Sequence, residues 1–99
     1  MIVVAGYLRL TSGSFDRIRP HMLVMIAASR AEKGCMAYTY ARDVVDADTI
    51  RVFEFWNSQE DLDRHFATPH LKAWRAALGE IGIERRELDV YTTSPPRPL

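Results

Sequence analysis

Residues 2–10, IVVAGYLRL, are apolar on both alternations, with Ile2, Val4 and Leu8 on one and Val3, Ala5 and Tyr7 on the other. Successive side chains of a strand point to opposite faces of its sheet, so such a segment needs cover on two sides. Thr49–Asn57 (TIRVFEFWN) has the same character, Phe53 and Phe55 alternating against Val52 and Trp56. Cys35–Asp43 (CMAYTYARD) is a third β-branched and aromatic run, and Val44–Asp48 is a loop short enough to make a hairpin of these last two. These strands demand more cover than a chain of 99 residues can easily supply.

The segments between them read as helices. After the turn cluster Thr11-Ser12-Gly13-Ser14, the residues Phe15, Ile18, Met22, Met25, Ile26 and Ser29 recur at intervals of three and four, one stripe of an amphipathic helix. Ser14 is its expected N-cap, Pro20 must lie in its first turns or bend it, and Gly34 closes it after Glu32-Lys33. Ser58-Gln59-Glu60-Asp61 starts a second helix with Leu62, His65 and Phe66 facing inward. Thr68-Pro69 interrupts it and restarts another whose buried stripe is Leu71, Trp74, Ala77, Leu78 and Ile81. Leu88–Thr93 alternates like a final strand.

The order strand, helix, strand, strand, helix, strand defines an α+β class, the ferredoxin-like βαββαβ antiparallel sheet with helices on one side. One domain over residues 1–93 is expected, followed by a disordered Pro-rich tail at 94–99. Because the helices cover one face only, the second apolar face is expected to meet a second copy, sheet against sheet, in a homodimer.

Charge narrows the partners. Thirteen Lys and Arg balance thirteen Asp and Glu, so the chain lacks the basic excess that nucleic acid or an anionic membrane surface would call for. The longest stretch free of these residues, Pro20–Ser29, is too short to span a bilayer, and the expectation is no nucleic acid and no membrane. The first basic residue is Arg9, and the single Cys35 has no internal disulfide partner, which points to a cytoplasmic location.

Chemistry concentrates in residues 53–75, FEFWNSQEDLDRHFATPHLKAWR. Glu54 shares a strand face with Ile50, Val52 and Trp56, apolar neighbours that would raise its pKa unless a partner favours the charged form. His65 is the nearest plausible partner, giving either a carboxylate-supported imidazole base or a buried strut between helix and sheet. His70, at a helix start, either lines a cleft mouth or faces water. Trp56 and Trp74, with Tyr38 and Tyr40, form either the wall of an aromatic pocket or plain core. Glu54, His65 and His70 are also two histidines and a carboxylate, but five residues across a Thr-Pro break are not the four-residue helical spacing of paired ligands, so no metal is expected.

The run GCMAY at 34–38, the strand FEFW with its Glu-x-Trp, and DLDRHFATPHLKAW at 61–74 resemble the antibiotic biosynthesis monooxygenase family, in particular its small quinol monooxygenases. The resemblance follows the element order over about residues 2–93 and is most specific in the Glu-x-Trp and His-x-x-Thr-Pro-His patterns. It implies a dimeric α+β barrel with a pocket between sheet and helices, and oxygenation of polyphenols by molecular oxygen with no flavin, haem or metal. A deprotonated quinol is electron-rich enough to react with oxygen itself, so the protein need supply only a base and a dry aromatic-walled pocket. In that reading His65 is the base, Glu54 orients it, Trp56 packs on the substrate ring, and His70, Trp74, Tyr38 and Tyr40 bind substrate. Haem-degrading relatives combine a first-strand Asn with a His on the second helix, whereas this chain has Gly6 and Arg75 near those positions. A phosphorylated-autoinducer isomerase shares His-x-x-Thr-Pro-His, which keeps isomerisation of a small phosphorylated ketone as an alternative. A non-catalytic ligand-binding barrel is the third.

Overall fold

In the computed structural model, which describes residues 1–99, β1 (Ile2–Leu10) lies at the centre of a four-stranded sheet, bonded on one side to β3 (Thr49–Trp56) and on the other to β4 (Ile83–Thr92), with β2 (Cys35–Arg42) outside β3. All three pairings are antiparallel. Helices α1 (Phe15–Arg30), α2 (Gln59–Phe66) and α3 (Pro69–Ile81) complete a ferredoxin-like α+β fold. The Thr68-Pro69 break falls where the sequence puts it, with the Thr68 hydroxyl accepting the Leu71 N–H and Pro69 opening α3.

Register decides which residues form the core. Ile2, Val4 and Leu8 pair with Trp56, Glu54 and Ile50, so these six share the face that the helices cover. Against that face pack Ile18, Met22, Met25 and Ile26 of α1, Leu62 of α2, and Leu71, Trp74, Ala77 and Leu78 of α3. The opposite alternation places Val3 beside Phe55 and Tyr91, and Ala5 beside Phe53. Nothing in the chain covers this second face, where Phe53 is 44% and Tyr91 51% exposed. Beyond β4, residues 94–99 are exposed and outside regular structure.

Several local expectations are corrected. Ser14 does stand at the N-cap position of α1, but its hydroxyl makes no capping bond and is buried without a partner. Helix α1 passes through Pro20 and ends at Arg30 rather than at Lys33, capped by Ala31, with bonds to Ala28 and Ser29, rather than by Gly34. Residues 31–34 are therefore a connection, and Gly34 (φ +82°) turns it against α2, where a Cβ would lie 2.1 Å from an Asp61 carboxylate oxygen. Phe66 is 40% exposed, while Asp61 joins Leu62 and His65 on the buried face of α2. Strand β4 starts five residues before the predicted Leu88, its first half held by pairing to β1 and by the Arg9–Glu84 ion pair instead of by an apolar alternation. At Gly6 (φ +149°) the β1 and β4 backbones approach so closely that a Cβ would overlap the Glu87 carbonyl oxygen.

Candidate active site

Four elements converge on one buried histidine. His65 ends α2, is 1% exposed, and lies with its ring against Trp56 of β3, centroids 4.8 Å apart. Its Nδ1 is 2.5 Å from Oε2 of Glu32, in the connection after α1. The same oxygen is 2.8 Å from Nε2 of His70, in the first turn of α3. A carboxylate oxygen can only accept, so each histidine donates an N–H to Glu32, which leaves Nε2 of His65 as the acceptor. Nε2 lies 3.3 Å from the Tyr38 hydroxyl on β2, itself 3.5 Å from that of Tyr40.

The carboxylate on His65 is thus Glu32 and not Glu54. Glu54 accepts from Nε1 of Trp56 at 3.0 Å, because period two sets these residues side by side on β3. Trp56 joins the two halves of the cluster, its ring against the imidazole and its N–H on Glu54. Burial raises the Glu54 carboxyl to about 7, against hydrogen bonding from Trp56 and Tyr38 and with the negative charge of Glu32 adding to the rise. Burial lowers His65 below the ordinary histidine value, opposed by Glu32. The tyrosines are both raised, chiefly by burial, Tyr40 to about 12.

Beside this cluster is a cavity of about 230 Å³ between the sheet and α3, with ten of its fourteen lining residues hydrophobic. Tyr38, Tyr40, Glu54, His65 and Trp74 all reach its wall. Trp56 does not: it is fully buried beneath His65. His70 is also absent from this wall and borders a separate groove with Pro20, His21 and Trp74. Two arginines reach the cavity, Arg86 from β4 and Arg75 from α3, the latter 5.7 Å over the Phe66 ring. The helical-spacing argument against bringing the two histidines together also fails. They stand on different helices, and the chain reversal at Thr68-Pro69 sets their rings 5.9 Å apart.

Sequence reasoning missed Glu32. Periodicity, with Gly34 as the stop, places it in the last turn of α1, where a Glu beside Lys is ordinarily a solvated surface residue. The only signal was that Glu32-Lys33-Gly34 stands between a helix and a strand, where a side chain can turn inward once the helix has ended.

A helix-backed antiparallel sheet, with a carboxylate–histidine pair beside a small, mostly apolar cavity, defines a compact ferredoxin-like α+β protein. The family model described as antibiotic biosynthesis monooxygenase matches residues 1–77, and the chain belongs to that family. An uncharacterised Synechocystis protein is 27% identical over 90 residues, covering 91% of this chain and 61% of its own length. A Mycobacterium tuberculosis protein, Rv0793, named as a monooxygenase, is 34% identical over 64 residues, 65% of this chain and 62% of the relative. The chain therefore spans about three fifths of the length of these curated relatives. The solved structure of Rv0793 superposes with a TM-score of 0.84 at 26% identity, covering 96% of each chain. A Deinococcus radiodurans structure carrying the family's description superposes with a TM-score of 0.91 at 19% identity over 100% of this chain and 98% of that one, which speaks to the fold.

Proposed function

We propose that the chain is a monooxygenase that oxidises a small quinol or other polyphenolic aromatic with molecular oxygen and without a bound cofactor. The observation that carries this reading is the Glu32–His65 pair, whose unprotonated Nε2 meets an apolar, tyrosine-walled cavity. A quinol hydroxyl takes the place of Tyr38 at Nε2 and gives up its proton, and Glu32 steadies the imidazolium that forms. The quinolate then reduces oxygen: one oxygen atom enters a ring C–H, the other leaves as water, and the ring supplies the four electrons as quinol becomes hydroxyquinone. At about 230 Å³ the cavity lies below the roughly 300–1,000 Å³ usual for ligand sites, which favours one or two rings over a polycycle.

Oxygen consumption with a hydroquinone tests the proposal. His65→Ala should keep its circular dichroism and lose about 10²- to 10⁴-fold in turnover, the usual contribution of one general base. A folded His65→Ala protein with unchanged turnover refutes the assignment. Arg75 and Arg86 at the cavity favour one second reading, isomerisation of a small phosphorylated ketone, since a phosphate needs cations there. Isomerisation without oxygen uptake would replace the oxygenase, and stable binding with neither activity would make the chain a ligand-binding module.

The uncovered sheet face supports a homodimer, in which Phe53, Phe55, Val3 and Tyr91 meet their counterparts. An interface of the obligate kind buries more than roughly 2,000 Å² in total. No helix is long and apolar enough to cross a membrane; a cytoplasmic location is part of the proposal and rests on the lone Cys35, a free thiol of the kind a reducing compartment keeps.

A further inference from the structure

We propose that Glu32, His65 and His70 form a binding site for a first-row divalent transition ion such as Zn²⁺ or Co²⁺, on the side of His65 away from the cavity. Three donor atoms, Oε2 of Glu32, Nδ1 of His65 and Nε2 of His70, lie within 4.8 Å of one another. They come from three separate segments: the α1–β2 connection, the end of α2 and the start of α3. Zinc holds such ligands at about 2.0–2.2 Å, which places neighbouring donors roughly 3–3.5 Å apart. The carboxylate oxygen stands 2.5 and 2.8 Å from the two nitrogens and has to draw back by less than about an ångström, while the two nitrogens, within 4.8 Å of each other, have to close by roughly 1–2 Å as the ion takes the place of the two N–H protons.

The shell around the donors suits an ion. The His65 side chain is 1% exposed and clamped by Trp56, which fixes the ring, while those of Glu32 and His70 are 13% and 20% exposed. Water can therefore reach the cluster from one side and complete the coordination. Imidazole and carboxylate together suit Zn²⁺, Co²⁺, Ni²⁺ or Fe²⁺ better than the all-oxygen preference of Mg²⁺ or Ca²⁺.

The site has a consequence for the cavity. A neutral imidazole coordinated through Nδ1 carries its proton on Nε2, so an ion at Glu32 turns His65 from an acceptor into a donor toward Tyr38 and the cavity. Metal occupancy and general-base action at Nε2 then exclude one another. Inhibition by the ion rests on the oxygenase reading; binding of the ion does not.

The test uses chelator-stripped full-length chain titrated with ZnCl2 by calorimetry and with CoCl2 by visible absorption. One ion should bind per chain, with ligand-field bands of a low-coordinate Co²⁺ site, and the His65 ¹⁵Nδ1 resonance should shift with Zn²⁺. Glu32→Gln and His70→Ala should each weaken binding by at least about 10-fold, and His21→Ala should leave it unchanged. No stoichiometric uptake, or uptake unaltered in both Glu32→Gln and His70→Ala, overturns the site. Should either variant fail to fold, the Nδ1 shift in the wild-type chain decides alone, because an ion held elsewhere leaves it in place. If the ion binds as described and a quinol is oxidised, Zn²⁺ should suppress oxygen uptake and chelator restore it. Binding without any oxidase activity to suppress would sink the oxygenase and leave the metal site standing.

Discussion

Replacing Glu54 by Gln should remove a pH dependence of stability that the wild-type chain carries between about pH 4.5 and 7. The folded carboxyl sits at about 7, against 4.5 for the exposed group, because it is buried among Tyr38, Tyr40 and Trp56. Over that interval the folded protein holds a proton that the unfolded chain has lost, so stability falls as pH rises. That difference in pKa corresponds to about 3 kcal/mol in full, most of which, about 2–3 kcal/mol, lies between pH 5 and 8. His65 acts in the opposite sense. Its lowered pKa means that the fold holds it neutral, and that contribution is lost as pH falls through 6.5 toward the folded value. The wild-type curve therefore mixes two opposed slopes, and the difference between wild type and variant isolates Glu54.

Glutamine has the shape of the protonated acid and still accepts the Trp56 N–H, so any cost of its extra amide donor is a constant offset with no pH dependence. Urea unfolding followed by tryptophan emission, at one protein concentration and several pH values, gives both curves. Glu54→Gln should gain about 2–3 kcal/mol on wild type between pH 5 and 8. Other groups facing the cavity, Arg75 and Arg86 from α3 and β4 and Glu32 beyond His65, are common to both proteins. A difference constant to within about 0.5 kcal/mol would refute the reasoning, since it would mean that Glu54 is ionised at an ordinary pKa, by hydration or by a cation swinging onto it.

Gly6→Ala should cost more than about 3 kcal/mol or abolish folding, because its Cβ would overlap the backbone of β4, where no side chain can move aside; thermal unfolding of any soluble product checks this. Phe53→Glu on the uncovered sheet face should give a folded monomer in sedimentation if two copies meet there, and an unchanged dimer would place the interface elsewhere. Glu32→Gln should leave KM for a quinol nearly unchanged and lower kcat by about 10-fold or more, the pattern of a residue that positions the base without touching substrate; an equal change in KM alone would place Glu32 in substrate binding.

Periodicity made the fold legible and left the site only half legible, for a physical reason. Strands and helices announce themselves by repeats of two and about 3.6, and Thr68-Pro69 marks its break by the chemistry of the two residues themselves. Those signals found His65, Tyr38, Tyr40 and Trp74, all of which lie on regular elements facing the cavity. They assigned Trp56 to the cavity wall, although its inward face is the one that the imidazole fully covers. Glu32 carried no periodic signal, because it stands in a four-residue connection where direction depends on where the helix stops. Moving that stop from Lys33 to Arg30 separates a solvated Glu from the partner of two histidines. The error in His65's partner thus followed from an error of three residues in a helix boundary.

The same residues serve as core and line the candidate site, which limits what mutation can reveal. Trp56, Tyr38 and His65 are each no more than 1% exposed, and the hydrogen bonds among Glu54, Trp56, Tyr38 and His65 run through the layer that holds α2 to the sheet. Removing Trp56 would cost about 3–5 kcal/mol in packing, a large share of the 5–15 kcal/mol that stabilises most domains, so lost activity in such a variant would say little about chemistry. Shape-conserving changes at the periphery of the cluster are the informative ones. Glu54→Gln alters a charge, Glu32→Gln alters an acceptor, and both keep the volume that the core requires. A carboxylate partner for the imidazole can also be drawn from the α1–β2 connection at little cost to the core, because Glu32 needs no place in the apolar stripe of α1 and its residual exposure keeps its charge partly solvated. Glu54 lacks that solvation, and this is why it is protonated well above the usual carboxylate range while Glu32 is free to accept from two histidines at once.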